Sequence, residues 1–244
     1  LGDIKTMRAL IGGTGLNTLP DLVITHTQSV STPYGVVNVR QGTLYEKPWL
    51  FLLRHGDGHT VPPHRINYCA NIAALHQMGV TQVVAVNAVG GIAPDCTPAS
   101  VIVPHDILDY TSGREATFFD GEHPQGVQHV DLSQPYTPAL RDALLAAAQR
   151  VNVAVVPHGV MAVTNGPRLE TPAEIRRLGQ DGATIVGMTG MPELALAREL
   201  GLEYASLSVV VNWAAGLGTG DIHAEIEACI AQGMDKVYRM LAVL

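Results

Sequence analysis

The sequence has no run of lysine or arginine, and only 15% of its residues are charged. With a formal net charge of -7, it lacks the basic surface that nucleic acid or an anionic membrane would need as main partner. Cysteine is scarce too. Cys69, Cys96 and Cys229 are odd in number and match no metal or redox spacing, as expected of thiols in a reducing compartment. No apolar run approaches the ~20 residues of a membrane-spanning helix, and the opening LGDIKTM has no signal-peptide pattern. The expectation is a soluble cytoplasmic protein. No repeat, low-complexity segment or linker interrupts the chain, and 244 residues suit one α/β domain spanning 1–244.

Several catalytic signatures are also missing. Gly13-Thr14-Gly15 is followed by Leu16, Asn17 and Thr18, so the third glycine of a dinucleotide fingerprint is lacking, and no GxxxxGK[ST] occurs. A nicotinamide dehydrogenase is therefore disfavoured. There is no Gly-x-Ser-x-Gly elbow for a serine hydrolase. His55, His59 and His64 are close in sequence, but no HExxH or carboxylate pair in metal-ligand spacing accompanies them, and no metal is expected.

What is present is a hydrophobic chain (47%) with 25 glycines and 15 prolines, the composition of a well-buried protein with many tight turns. Apolar, β-branched runs at 7–11, 49–53, 82–86, 184–186 and 204–211 predict strands. Helical periodicity covers 67–78, 138–150, 171–178, 192–200 and 222–241, with Gly79 and Gly201 placed to end two of these helices. Strands alternating with helices predict a three-layer α/β/α fold around a mostly parallel or mixed sheet. The stretch 104–136 shows little periodicity and reads as a long functional loop.

In open α/β sheets ligands gather beyond the carboxyl ends of strands. The predicted strand ends carry Gly12-Gly13-Thr14-Gly15, Arg54-His55-Gly56, Asn87-Ala88-Val89-Gly90-Gly91, Gly187-Met188-Thr189-Gly190 and Asn212-Trp213-Ala214. The first offers backbone N–H groups and a hydroxyl to an anion. Arg54 adds a planar fork suited to phosphate oxygens, and Thr189 stands at a helix start. Together they suggest a phosphate site. Two glutamates stand four apart in NGPRLETPAEIRRL. Thr171-Pro172-Ala173-Glu174 has the spacing of a capping box, which gives Glu174 a structural job and leaves Glu170 without one.

The segments IGGTGL (11–16), RHG (54–56), NAVGGI (87–92), GPRLET (166–171), VGMTGMPE (186–193) and VVN (210–212) resemble, in this order, those of the purine nucleoside phosphorylase and methylthioadenosine phosphorylase family. The likeness spans essentially the whole chain. Its wording, including DYTSGRE (109–115) and VVN-x-AAG, is nearest to the bacterial methylthioinosine phosphorylases of that family. The resemblance implies a homotrimer with sites near subunit interfaces, and reversible phosphorolysis with inorganic phosphate as co-substrate and no cofactor. It implies that Thr14, Arg54, His55, Ala88 and Thr189 hold phosphate. Asn87 and Met188 would lie near the ribose, with His59 beside the nucleoside and His129 reaching a neighbouring subunit's 5′ pocket. Ile222, His223 or Ile226 would face the sugar, depending on helix register.

Glu170 and Asn212 then acquire a chemical reading. A 6-oxopurine leaving with N7 protonated presents N1–H and N7–H as donors and O6 as acceptor. Glu170 can accept from N1–H, while Asn212 accepts from N7–H and donates to O6. Adenine would face the same pair with mismatched groups, and such mismatches discriminate by a factor of roughly 10⁴ or more. The adenine-specific members of the family carry aspartate where Asn212 and Ala214 stand and serine where Glu170 stands. The expected substrate is therefore a 6-oxopurine nucleoside, methylthioinosine before inosine or guanosine. Methylthioadenosine is the alternative.

Overall fold

The computed structural model describes residues 6–13, 19, 21–220 and 222–244, without the side chains of 223–225. The expectation for Thr14 and the side-chain role of His223 lie outside these described residues.

The centre of the sheet is β5 (Gln82–Gly91), mostly buried apolar and small residues, with Asn87 buried and Ala88 exposed. On one side it pairs in parallel with β10 (Glu203–Trp213) along its whole length. On the other it pairs first with β1 (Arg8–Gly12), also in parallel, and β1 continues to β4 (Lys47–Leu53). An antiparallel hairpin, β2 (Leu22–Thr32) and β3 (Gly35–Leu44), extends that edge beyond β4. The far side is built from β7 (Asp106–Asp109), β8 (Val160–Val163) and β9 (Ile185–Gly187), parallel to one another, with β9 antiparallel to the end of β5. The two-residue β6 (Val101–Ile102) pairs antiparallel with β10. The sheet is thus mixed, as expected.

Successive residues of a strand face opposite sides, and the burial follows. Ala9, Ile11, Leu50, Leu52, Val83 and Ala85 meet α1 (Tyr68–Gln77) and α4 (Gly190–Glu199) in one core layer. Leu10, Trp49, Phe51, Val84, Val86 and Leu207 meet α2 (Pro138–Arg150) and α5 (Ile222–Val243) in the other. Leu10 is fully buried among them, so Leu10→Ala would cost about 2–5 kcal/mol. Gly233 lets α5 settle onto β10, since a Cβ there would collide with Val209. The helix ends behave as read: Gly79 and Gly201 sit just past α1 and α4 at φ +78 and +72.

Three expectations need correction. The hairpin β2–β3 was not anticipated. Asn87–Gly91 and Asn212 do not follow strands but lie inside β5 and β10. The stretch 104–136 is not all loop, because Asp106–Asp109 forms β7. Its remainder is irregular and largely exposed.

Candidate active site

The break in partnership along β5 creates the site. β1 pairs only as far as Ala85, and β9 joins only at Gly90. Residues 86–89 are left without a strand on that side, and a cavity of about 230 Å³ opens against them. Arg54, following β4, fills part of the gap: its Nη1 donates to the Val86 carbonyl at 3.0 Å. Such changes of strand partner are where α/β sheets bind ligands.

Gly13, Arg54, His55, Ala88 and Thr189 all line the cavity, with Gly13 against the His55 and Arg54 side chains. Arg54 is 3% exposed, and its guanidinium is already committed: Nε and Nη2 donate to the two carboxylate oxygens of Glu193 at 2.8 and 2.7 Å. Glu193 is fully buried and also accepts from the Tyr204 hydroxyl at 2.8 Å. Burial works against the Arg54 charge, but the Glu193 carboxylate outweighs it and raises the pKa above the usual arginine value. One N–H on each terminal nitrogen remains for a ligand.

His55 is held by its Nδ1, 2.8 Å from the Val61 carbonyl. Burial lowers its pKa to about 4, and the Arg54 charge and the neighbouring His59 push the same way. At neutral pH the ring is therefore uncharged, with the proton on Nδ1 and a lone pair on Nε2. Gly13 passes close by: a Cβ there would lie 3.0 Å from the His55 ring. His59 stacks on His55 with centroids 4.2 Å apart and also lines the cavity. Among the described residues no group of His, Cys, Asp or Glu is arranged to hold a metal ion.

Asn87 lies in a buried polar chain. Its Nδ2 donates to Ser206 Oγ at 2.7 Å, and its Oδ1 accepts from Thr189 Oγ1 at 3.1 Å. Met188 lies on the cavity wall beside Gly166, whose φ of +60 and closeness to the Met188 sulfur admit no side chain. Val86, Val186 and Val211 line the interior, with Ile222, Ile226 and Ile230 presenting one face of α5 over successive turns.

Glu170 and Asn212 line the same cavity. The Asn212 Nδ2 donates to the Trp213 carbonyl at 2.6 Å, which fixes the amide orientation and leaves Oδ1 and one N–H available. Glu170 Oε1 accepts from the Thr164 hydroxyl at 2.6 Å. Glu174 makes the expected capping box with Thr171 at the start of α3 (Pro172–Gln180), and Arg168 pairs with it through two hydrogen bonds. His129 is exposed in the irregular stretch and is not among the residues lining the cavity.

Sequence reasoning missed three residues. Glu193, the partner of Arg54, announces itself only as the one charge in the apolar run 188–197. Arg114 was noticed only as part of DYTSGRE. Its guanidinium donates to the carbonyls of Asn165 at 3.0 Å, Met188 at 2.9 Å and Met191, joining the two loops that carry Glu170 and Thr189. Thr164, which grips Glu170, gave no signal.

This geometry has close relatives. A probable S-methyl-5′-thioinosine phosphorylase from Pseudomonas syringae pv. tomato is 52% identical over 240 residues, which is 97% of each chain. The 6-oxopurine nucleoside phosphorylase of Pyrococcus furiosus is 39% identical over 238 residues, covering 96% of this chain and 89% of its own. The solved structure of methylthioadenosine phosphorylase from Schistosoma mansoni in complex with adenine superposes with a TM-score of 0.89. It is 29% identical and aligns with 98% of this chain and 90% of its own. The sequence pattern of the phosphorylase superfamily matches residues 8–243, nearly the whole chain, and the protein belongs to that superfamily.

Proposed function

We propose that the protein catalyses phosphate-dependent, reversible cleavage of the N-glycosidic bond of a 6-oxopurine 5′-methylthionucleoside, methylthioinosine first. The products are the purine base and 5-methylthioribose 1-phosphate. The observation that carries this reading is that Glu170 and Asn212 line one cavity with Arg54, His55 and Thr189.

Phosphate bound at the Arg54 end is the nucleophile, attacking the anomeric carbon as the bond to the purine breaks. Arg54 donates its two uncommitted N–H bonds to the anion. His55 accepts from a protonated phosphate oxygen through its Nε2 lone pair, which its lowered pKa keeps available. The sugar develops oxocarbenium charge above the anion, with Asn87 and Met188 at the ribose. The leaving purine gains electron density and N7 takes up a proton from solvent, balanced by the proton the hydrogen phosphate releases once it is bonded to the sugar; Asn212 Oδ1 accepts from N7–H while Glu170 accepts from N1–H. Positioning and electrostatic stabilisation carry such a reaction without a covalent enzyme intermediate.

The isoleucine row of α5 supports the methylthio group over a 5′-hydroxyl, since Ile222, Ile226 and Ile230 offer a hydroxyl no partner. The relationship to 6-oxopurine nucleoside phosphorylases favours inosine or guanosine as the second reading. A homotrimer in which His129 reaches the neighbouring subunit's site completes the proposal, consistent with its exposure in the single chain.

Base release from methylthioinosine, methylthioadenosine, inosine, guanosine and adenosine, with and without phosphate, tests the reading. Turnover is expected to require phosphate and to be fastest with methylthioinosine. Equal or faster cleavage of methylthioadenosine would refute the base assignment, and phosphate-independent release would refute phosphorolysis.

A further inference from the structure

We propose that Thr164 is a positioning residue that sets purine selectivity, by fixing the Glu170 carboxylate on the wall between the substrate cavity and a second cavity that Thr164 itself lines. The inference rests on the reading of Glu170 as the group that meets purine N1.

Glu170 stands on a wall between two spaces. One is the substrate cavity; the other, of about 360 Å³, is lined by Thr164, Asn165, Arg168, Arg177 and Glu174 among others, and Glu170 lines both. The second space contains two guanidinium groups. Arg168 is paired with Glu174 and Arg177 with Asp181, both at the exposed surface, where a further carboxylate can still be attracted. A half-buried glutamate on the 165–170 loop has enough side-chain freedom to turn either way.

Thr164 is fixed where Glu170 is not. It directly follows β8, its N–H donates to the Gly187 carbonyl at 2.9 Å, and the next carbonyl, that of Asn165, accepts from Arg114 at 3.0 Å. The Asn165 side chain is tied in turn to the Ser112 backbone, donating to the carbonyl and accepting from the N–H, each at 3.1 Å. From this fixed post the Thr164 hydroxyl donates to Glu170 Oε1 at 2.6 Å. A hydroxyl has one proton, so the bond selects one carboxylate orientation and leaves Oε2 for the ligand. Thus held, Oε2 accepts from the N1–H of a 6-oxopurine and repels the N1 lone pair of a 6-aminopurine. Released, the carboxylate does neither well.

The test compares kcat/KM for methylthioinosine and methylthioadenosine in Thr164→Val, Thr164→Ala, Thr164→Ser and Glu170→Ala, with melting temperature and phosphate KM measured on each. Hydrogen bonds to charged groups predict a fall of roughly 10-fold or more in the methylthioinosine preference of Thr164→Val and Thr164→Ala. The loss is expected mainly in nucleoside KM, with phosphate KM little changed and Thr164→Ser restoring the preference. A merely structural role would lower the melting temperature without moving the ratio. An unchanged ratio in both the valine and alanine variants, where Glu170→Ala does lower it, overturns the role of Thr164 alone. An unchanged ratio in Glu170→Ala overturns the base-reading assignment and this inference with it.

Discussion

Replacing Glu193 by glutamine probes the most consequential contact in the site. The side chain is fully buried and takes two charge-assisted hydrogen bonds from Arg54 and one from Tyr204. Glutamine keeps the shape but removes the charge and turns an NH₂ toward donors, leaving Arg54 buried without a counter-ion. Breaking a buried pair in this way costs about 3–5 kcal/mol. In a chain of this length each kcal/mol lowers the melting temperature by about 2–4 °C, so Glu193→Gln should melt about 6–20 °C below the parent. Phosphate should then discriminate between the two proteins. The parent gains the ordinary mass-action stabilisation, about 2.7 kcal/mol at a hundredfold excess over Kd. In the variant, the anion also satisfies an otherwise uncompensated arginine, so the phosphate-induced rise in melting temperature should be larger. Thermal scanning with and without phosphate measures both quantities. A variant melting within about 2 °C of the parent, with the same phosphate response, would show that Glu193 does not neutralise Arg54.

Other consequences concern protonation. His55 refuses in the folded state a proton that an ordinary histidine takes at 6.5, and binds it only near 4. The unfolded chain then binds more protons between those values, so His55 contributes instability as pH falls from about 6.5 to 4. ¹⁵N-histidine NMR should show it neutral and protonated at Nδ1 at pH 5.5; an imidazolium there would contradict the assignment. Glu174 has the opposite sign. Hydrogen bonds from Arg168 and the Thr171 amide lower its pKa from 4.5 to about 2. The stability it contributes is complete above about 4.5 and lost as pH falls toward 2. Glu174→Gln should therefore melt below the parent at pH 7 and converge with it at low pH. A constant gap across that range would show that the charge of Glu174 is not what starts the helix.

The fold was legible wherever an element buries a whole face, and obscure elsewhere. The core strands β1, β4, β5 and β10 are continuous apolar runs because both faces are covered by helices. The hairpin left little trace: nearly all of β2 is exposed, and Val30 is its one fully enclosed residue. The strands β6 to β8 span two to four residues, too few for a period to register, whereas the apolar run 184–186 does mark β9. Asn87–Gly91 looked like loop because it is rich in small residues. Those residues serve close approach within a strand: a Cβ on Gly91 would collide with the Cys96 carbonyl, and Gly90 lies against Ala214. For the site, residue types suggested an anion at Arg54 and Thr189, and the family resemblance added a purine at Glu170 and Asn212. Pairings were not readable. Glu193 and Arg54 are 139 positions apart, and nothing in a linear sequence says that a guanidinium suited to phosphate is already held by a carboxylate.

That pairing gives the proposed chemistry its charge balance. The proposed phosphate end holds one arginine neutralised by Glu193 and one histidine kept uncharged by burial, so its formal charge is close to zero. A site with two free cations would hold phosphate more tightly, but it would hold a pentose 1-phosphate equally well and resist releasing it. It would also screen the anion from the sugar. In phosphorolysis through an oxocarbenium-like state, the nucleophile's negative charge is what stabilises the sugar's positive charge, and a counter-ion that consumes it raises the barrier. In the proposed reading, Glu193 and the neutral His55 let the site orient phosphate through hydrogen bonds while leaving its charge directed at the sugar. The same logic governs the other end of the cavity. There Thr164 fixes one oxygen of Glu170, and in the proposed reading the other is left to meet the purine.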